Sequence, residues 1–219
     1  MDYANIGIVI ATYAIPVIFA ITLHEAAHGY VARHFGDTTA YMQGRVTLNP
    51  MKHIDPVGTV LLPILTVLFT PFMFGWAKPV PVNFSNLRNP KRDMLWVAAA
   101  GPFSNIAQML FWLLFAKLLL GTTDPSPGLA ASFSWLGVAE AGIKVNVMFA
   151  ILNLFPVLPL DGGRMLTSVL PMRLAHAYSR LEPYGLIILL VLLFTGALGW
   201  MLTPFYRSVM RQVAAVLNP

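Results

Sequence analysis

The sequence predicts an all-α polytopic membrane protein, a bundle of about four full spans plus a re-entrant element with short membrane-associated β-strands. Three observations predict it. Of the 219 residues, 57% are hydrophobic and only 11% charged, whereas soluble domains carry about 25% charged residues. Five apolar stretches, at 6–23, 57–74, 94–120, 136–158 and 184–203, each approach the ~20 residues that cross a bilayer as a helix. The stretches flanking the second, 37–56 and 75–93, are rich in polar, Gly and Pro residues, and within them Val46-Thr47-Leu48 and Val80-Pro81-Val82 read as short strands. The chain therefore reads as a single integral-membrane domain over 1–219, with its core at 6–165 and a C-terminal span and amphipathic tail at 183–219.

Charge and composition exclude several functions. The net charge of +5 is spread over loops without a basic run, which suits the headgroups of a lipid bilayer and not nucleic acid. With no cysteine, disulfides and thiol catalysis are excluded, and a metal site must draw on His, Asp, Glu or water. The first apolar stretch lacks a basic leader and a small-residue cleavage signal, so it reads as a span and not a signal peptide. Trp76, Trp96 and Trp200 are expected at membrane interfaces.

The first stretch leads into ITLHEAAHGYVARHFG (21–36), which contains no proline, so the helix should continue through it. Within it, His24 and His28 stand at i and i+4, about 40° apart around the axis, and can share one metal ion. Glu25 flanks that face, where a carboxylate can take a proton from water and pass it to a leaving amine. Ionisable groups this deep in an apolar segment are costly and mark function. His34 has the spacing of the third ligand in soluble HExxHxxGxxH proteases, but Val31 stands where that pattern has its glycine, so the helix continues and His34 faces away.

The second stretch carries Pro63 and Pro71 near its ends and is flanked on both sides by basic residues, Arg45 and Lys52 before it and Lys78, Arg88, Lys91 and Arg92 after it. A full crossing would leave one basic loop outside, against the positive-inside bias. His53 and Asp55 in the preceding loop are expected to cap structure. The fourth stretch ends in Asn153-Leu-Phe-Pro156-Val-Leu-Pro159-Leu-Asp161-Gly162-Gly163-Arg164, whose prolines unwind the helix and require a protein-lined cavity. A catalytic zinc takes three protein ligands and keeps one position for water, and Asp161 is the better candidate for the third, its alternative being a plain turn aspartate. From Pro204, Phe205, Tyr206, Val209, Val213 and Val216 alternate with Arg207, Arg211 and Gln212 in the pattern of an interfacial helix.

These residues carry a resemblance. HEAAH, AAAGPFSN (98–105) and NLFPVLPLDGG (153–163) together resemble the site-2 protease family, peptidase family M50, and GRVTLNPMKHIDPVGT and GWAKPVPVN are similar to its small bacterial branch. The resemblance implies an intramembrane zinc endopeptidase acting on transmembrane protein substrates in the bacterial inner membrane. It implies one Zn2+ per chain on His24, His28 and Asp161, with Glu25 as general base and acid. Asn153 is implied to polarise the scissile carbonyl or hold substrate, and Gly101, Pro102 and Asn105 to shape the core helix beside the site. Unlike larger relatives, the chain has no room for a PDZ domain and carries no CBS domain.

From the residues themselves, a metal or proton transporter and a non-catalytic membrane scaffold are the rival readings, and a glutamate beside two i, i+4 ligands favours hydrolysis. A strand edge at 44–48 or 79–83 is expected to pair with unwound substrate. Parity constrains the topology. Residues 28 and 161 must meet at one depth, yet three apolar stretches separate them, so one stretch fails to cross. Making 57–74 re-entrant puts Arg33, Arg45, Lys52, Lys78, Arg88, Lys91, Arg92, Arg164, Arg173 and Arg180 on one side, expected to be the cytoplasm, and leaves the 121–135 loop with only Asp124 outside, on the side of the N-terminus.

Overall fold

The computed structural model describes residues 3–61, 77–121 and 134–217. As the proline-free motif requires, the first helix, α1 (Tyr3–His34), runs on through His24 and His28 and ends where Gly36 takes φ +111°, a left-handed conformation that stops a helix. A single turn, α2 (Thr39–Met42), follows. Two long apolar helices, α3 (Pro90–Leu120) and α4 (Trp135–Asn153), form the rest of the core. Two short helices come next, α5 (Asp161–Val169) and α6 (Met172–Ser179), and then α7 (Gly185–Phe194) and α8 (Ala197–Leu217). Helix α3 is central, packing against α4, α1 and α5.

The packing is that of a membrane bundle. Alanines fill the interior, among them Ala20, Ala26, Ala32, Ala98, Ala99, Ala139, Ala141 and Ala150. Phe19, Phe103, Phe111, Leu114 and Leu118 point outward and are more than half exposed. Lipid gives apolar side chains no reason to turn inward, so helices associate by close approach of small residues. Among the described residues, four helical segments are long and apolar enough to cross a bilayer: Gly7–His34, Pro90–Leu120, Trp135–Asn153 and Met172–Phe194. The chain is an integral membrane protein.

The last span differs from expectation. The apolar run at 184–203 is not one helix, because Gly196 at φ +75° ends α7 and the chain restarts as α8, and the last segment long and apolar enough to cross is Met172–Phe194. That helix continues unbroken through Pro204, and Tyr206, Val209, Met210, Val213 and Leu217 pack against Trp112, Val138 and Ile143 of α3 and α4. The amphipathic spacing of the tail is therefore satisfied largely by the bundle itself, while Trp200 and Phe205 remain exposed, as Trp96 does on α3.

The expected strands are corrected. Among the described residues there is no strand: 46–48 forms a run of bends and 80–82 has no regular secondary structure. Side chains have taken the backbone groups that a strand partner would need. Arg45 Nη2 donates to the carbonyls of Lys78 (3.0 Å) and Pro79 (3.2 Å). Val80 N–H donates to Glu25 Oε2 and Asn83 N–H to Asp37 Oδ2, both at 2.7 Å, while Pro79 and Pro81 have no N–H to offer. Burial raises the Asp37 carboxyl pKa, but donors from Thr39, Asn83 and Asn86 outweigh it and hold the group below the ordinary carboxylate range. The absence of a side chain at Gly29 lets Val46 and Val80 lie directly on α1, since a Cβ there would sit 2.8 Å from Val46 Cγ2. At the start of the expected re-entrant stretch 57–74, residues Pro56–Leu61 form a π-helical turn. The remainder, with Pro63, Pro71 and Trp76, lies outside the described residues, as does Asp124.

Candidate metal centre

Three helices bring the candidate ligands together. On α1, the i, i+4 spacing sets His24 and His28 side by side, their rings nearly perpendicular with centroids 4.7 Å apart and their Nε2 atoms 3.1 Å apart. Asp161 opens α5, where the helix N-terminus favours a carboxylate, and its Oδ2 lies 3.2 Å from His24 Nε2 and 3.3 Å from His28 Nε2. The reach depends on the two glycines that follow. A Cβ on Gly162 would lie 2.5 Å from Phe155 O, and one on Gly163 2.5 Å from Leu158 N, so only glycine lets α5 tuck beneath the 154–158 turn and present Asp161 to α1.

Helix α3 supplies the back wall. Gly101 faces the two rings directly: a Cβ there would fall 2.5 Å from His24 Cε1, 2.6 Å from His24 Nε2, and against His28 Nε2. Pro102, inside the helix, and Asn105 are fully buried. His28 Nδ1 lies 2.7 Å from the Val97 carbonyl and His24 Nδ1 2.7 Å from Asn105 Oδ1. Both partners accept only, so each Nδ1 carries the proton and each Nε2 presents a bare lone pair toward Asp161.

The donor set fits a divalent metal. Two imidazole nitrogens and a carboxylate oxygen lie within 4.8 Å of one another, and Asp161 Oδ2 is buried without a hydrogen-bond partner. Two lone pairs and an acceptor oxygen converging on one point repel unless a cation lies between them. Nitrogen and oxygen donors of this type and number match a catalytic zinc site, with a fourth position left over. Glu25, half-buried beside the trio, accepts the Val80 N–H on Oε2.

Other candidates stand apart. His34 sits at the end of α1 with its ring against Phe35, and its carbonyl accepts from Arg88. His34→Ala is expected to leave zinc content unchanged, measured by atomic absorption on the purified protein; lost metal with an intact fold would remove Asp161 as the third ligand. His53 is buried and its Nε2 lies 2.9 Å from the Thr47 carbonyl, while Asp55 accepts the Val57 and Gly58 N–H groups. Asn153 donates to Phe149 O one turn back and makes no bond to the trio. Sequence reasoning missed Arg45, the Val80 N–H and Asn146. A signal existed for the last, since an asparagine within an apolar span is costly without partners.

Comparison with known proteins bears on this site. Residues 119–196 match the family model described as Peptidase family M50. The chain is 36% identical over 94% of its length to YwhC of Bacillus subtilis, named as a zinc metalloprotease, and spans 92% of that protein. Rip2 of Mycolicibacterium smegmatis and Rip2 of Mycobacterium tuberculosis H37Rv, also named as zinc metalloproteases, are 32% and 29% identical over 83% and 84% of this chain. The chain spans 66% and 67% of those two proteins. No solved structure matches it.

Proposed function

The chain belongs to peptidase family M50, the site-2 proteases, and is a zinc-dependent peptidase; on that premise we propose that it hydrolyses peptide bonds in or near the transmembrane segments of other membrane proteins. The observation that carries this reading is the convergence of His24, His28 and Asp161 in a bundle whose outer surface is suited to lipid. His24 Nε2, His28 Nε2 and Asp161 would hold the zinc, which would supply a Lewis acid able to acidify water and polarise the scissile carbonyl. Glu25 takes a proton from the attacking water on the carboxylate oxygen opposite the Val80 bond and delivers it to the leaving amine nitrogen. The Val80 N–H fixes the carboxylate for that transfer, and Arg45 steadies the segment bearing Val80. Gly101 and Pro102 keep the back wall clear, and Asn153 is assigned to polarise the scissile carbonyl or hold substrate. The substrate helix must unwind locally, because its carbonyls are otherwise engaged in internal hydrogen bonds.

The test is cleavage of a single-span membrane protein by the purified chain in proteoliposomes. Cleavage is expected to stop on chelation and return on adding zinc; cleavage insensitive to chelator would overturn the reading.

The basic residues around the site support its facing the cytoplasm of a bacterial inner membrane under the positive-inside rule. Single cysteines at 49 and 86 should be protected from an impermeant reagent in intact cells and one at 126 labelled. Label at 86 with 49 protected would show that 57–74 crosses fully.

A further inference from the structure

Asn105 of α3 and Asn146 of α4 are wholly buried in an interior otherwise rich in alanine. A buried amide occupies nearly the same space either way round, so its partners decide which end faces where. Asn146 Nδ2 donates to the Gly142 carbonyl (2.9 Å), one turn back on its own helix. That carbonyl only accepts, so Asn146 Oδ1 must face Asn105. Asn105 Nδ2 donates to that oxygen (2.9 Å) and, at a longer 3.3 Å, to Ala20 O. Its Oδ1 is thereby turned toward α1, where it accepts the Nδ1–H of His24 (2.7 Å).

Each bond dictates the next. Were Asn105 reversed, its NH2 would face His24 Nδ1 and favour the tautomer with the proton on Nε2, closing the lone pair directed at Asp161. We propose that Asn146 is a positioning residue for the metal centre: held by the Gly142 carbonyl, it orients Asn105 and through it fixes the tautomer in which His24 Nε2 is free to bind zinc. The proposal rests on the reading of His24 as a zinc ligand. It assigns α4, which contributes no ligand, a hold on the metal site that acts through α3.

The test measures zinc affinity of the full-length protein in detergent by competition with a chelator. Asn146→Leu, close in shape but without donor or acceptor, should weaken zinc binding roughly 10–100-fold, the usual cost of losing a partner behind a metal ligand. Asn146→Asp should bind close to wild type, because burial keeps the acid neutral and it then donates to Gly142 O while accepting from Asn105. The discriminating measurement repeats Asn146→Leu in an Asn105→Asp background. An ionised carboxylate beside the His24 N–H offers it an acceptor oxygen whichever way it turns, so it needs no orienting, and Asn146→Leu should then cost no further affinity. A residue that merely fills space would cost the same in both backgrounds, and that result, or an unweakened Asn146→Leu single variant, overturns the proposal. If Asn146→Leu does not yield a monodisperse protein, the smaller truncation Asn146→Ala is read in the same two backgrounds. His24→Ala, measured alongside, tests the premise separately: lost zinc supports it, and retained zinc overturns it whatever the asparagines do.

Discussion

Glu25→Gln is expected to keep about one zinc per chain while turnover falls by roughly 10²–10⁴-fold, the range ascribed to a positioned general acid–base group. The glutamine amide matches the carboxylate in shape, and its oxygen can still accept the Val80 N–H that engages Oε2 in the wild type (2.7 Å). Neither His24, His28 nor Asp161 loses a contact, so the metal should stay. What disappears is an oxygen able to take a proton from water and return it to the leaving amine. Zinc content by atomic absorption and cleavage rate on one preparation separate the two effects. Turnover within about tenfold of wild type would move the base to another residue.

Gly101→Ala should damage the site without touching a ligand. The added methyl would stand 2.5 Å from His24 Cε1 and 2.6 Å from His24 Nε2. The two rings cannot yield easily, since their Nδ1 atoms are tied to Asn105 and Val97. Overpacking of a fixed interior costs about 1–3 kcal/mol, which at ~1.4 kcal/mol per decade corresponds to roughly 5–100-fold in zinc affinity. Gly7→Ala on α1 is the control, because a Cβ there meets nothing within 4 Å. Wild-type affinity in Gly101→Ala would show that the back wall does not constrain the ligands.

Much of this was legible in the sequence because the relevant physics is local. Long apolar runs announce spans whatever surrounds them, and helical periodicity places His24 and His28 on one face before any tertiary contact exists. The prolines and paired glycines around Asp161 likewise announce a break where the chain must turn back toward protein. Local pattern failed where other parts of the chain compete for the same groups. Val80-Pro81-Val82 has the composition of a strand, yet the Val80 N–H goes to the side chain of Glu25 and that of the adjoining Asn83 to Asp37, both distant in sequence. The last span moved because one glycine, Gly196, divides an apolar run that hydropathy treats as continuous.

By itself, then, the sequence determined the membrane class, the HEAAH face and the identity of the candidate ligands, since each follows from residue type and spacing along one helix or turn. Only the tertiary structure decided that Asp161 comes within 3.3 Å of both histidines, that Gly101 must lack a side chain, and that Asn105 and Asn146 join His24 to the carbonyl of Gly142. Those relations run between helices, and no periodicity along one helix encodes which face of its neighbour it will meet or which way a buried amide will turn.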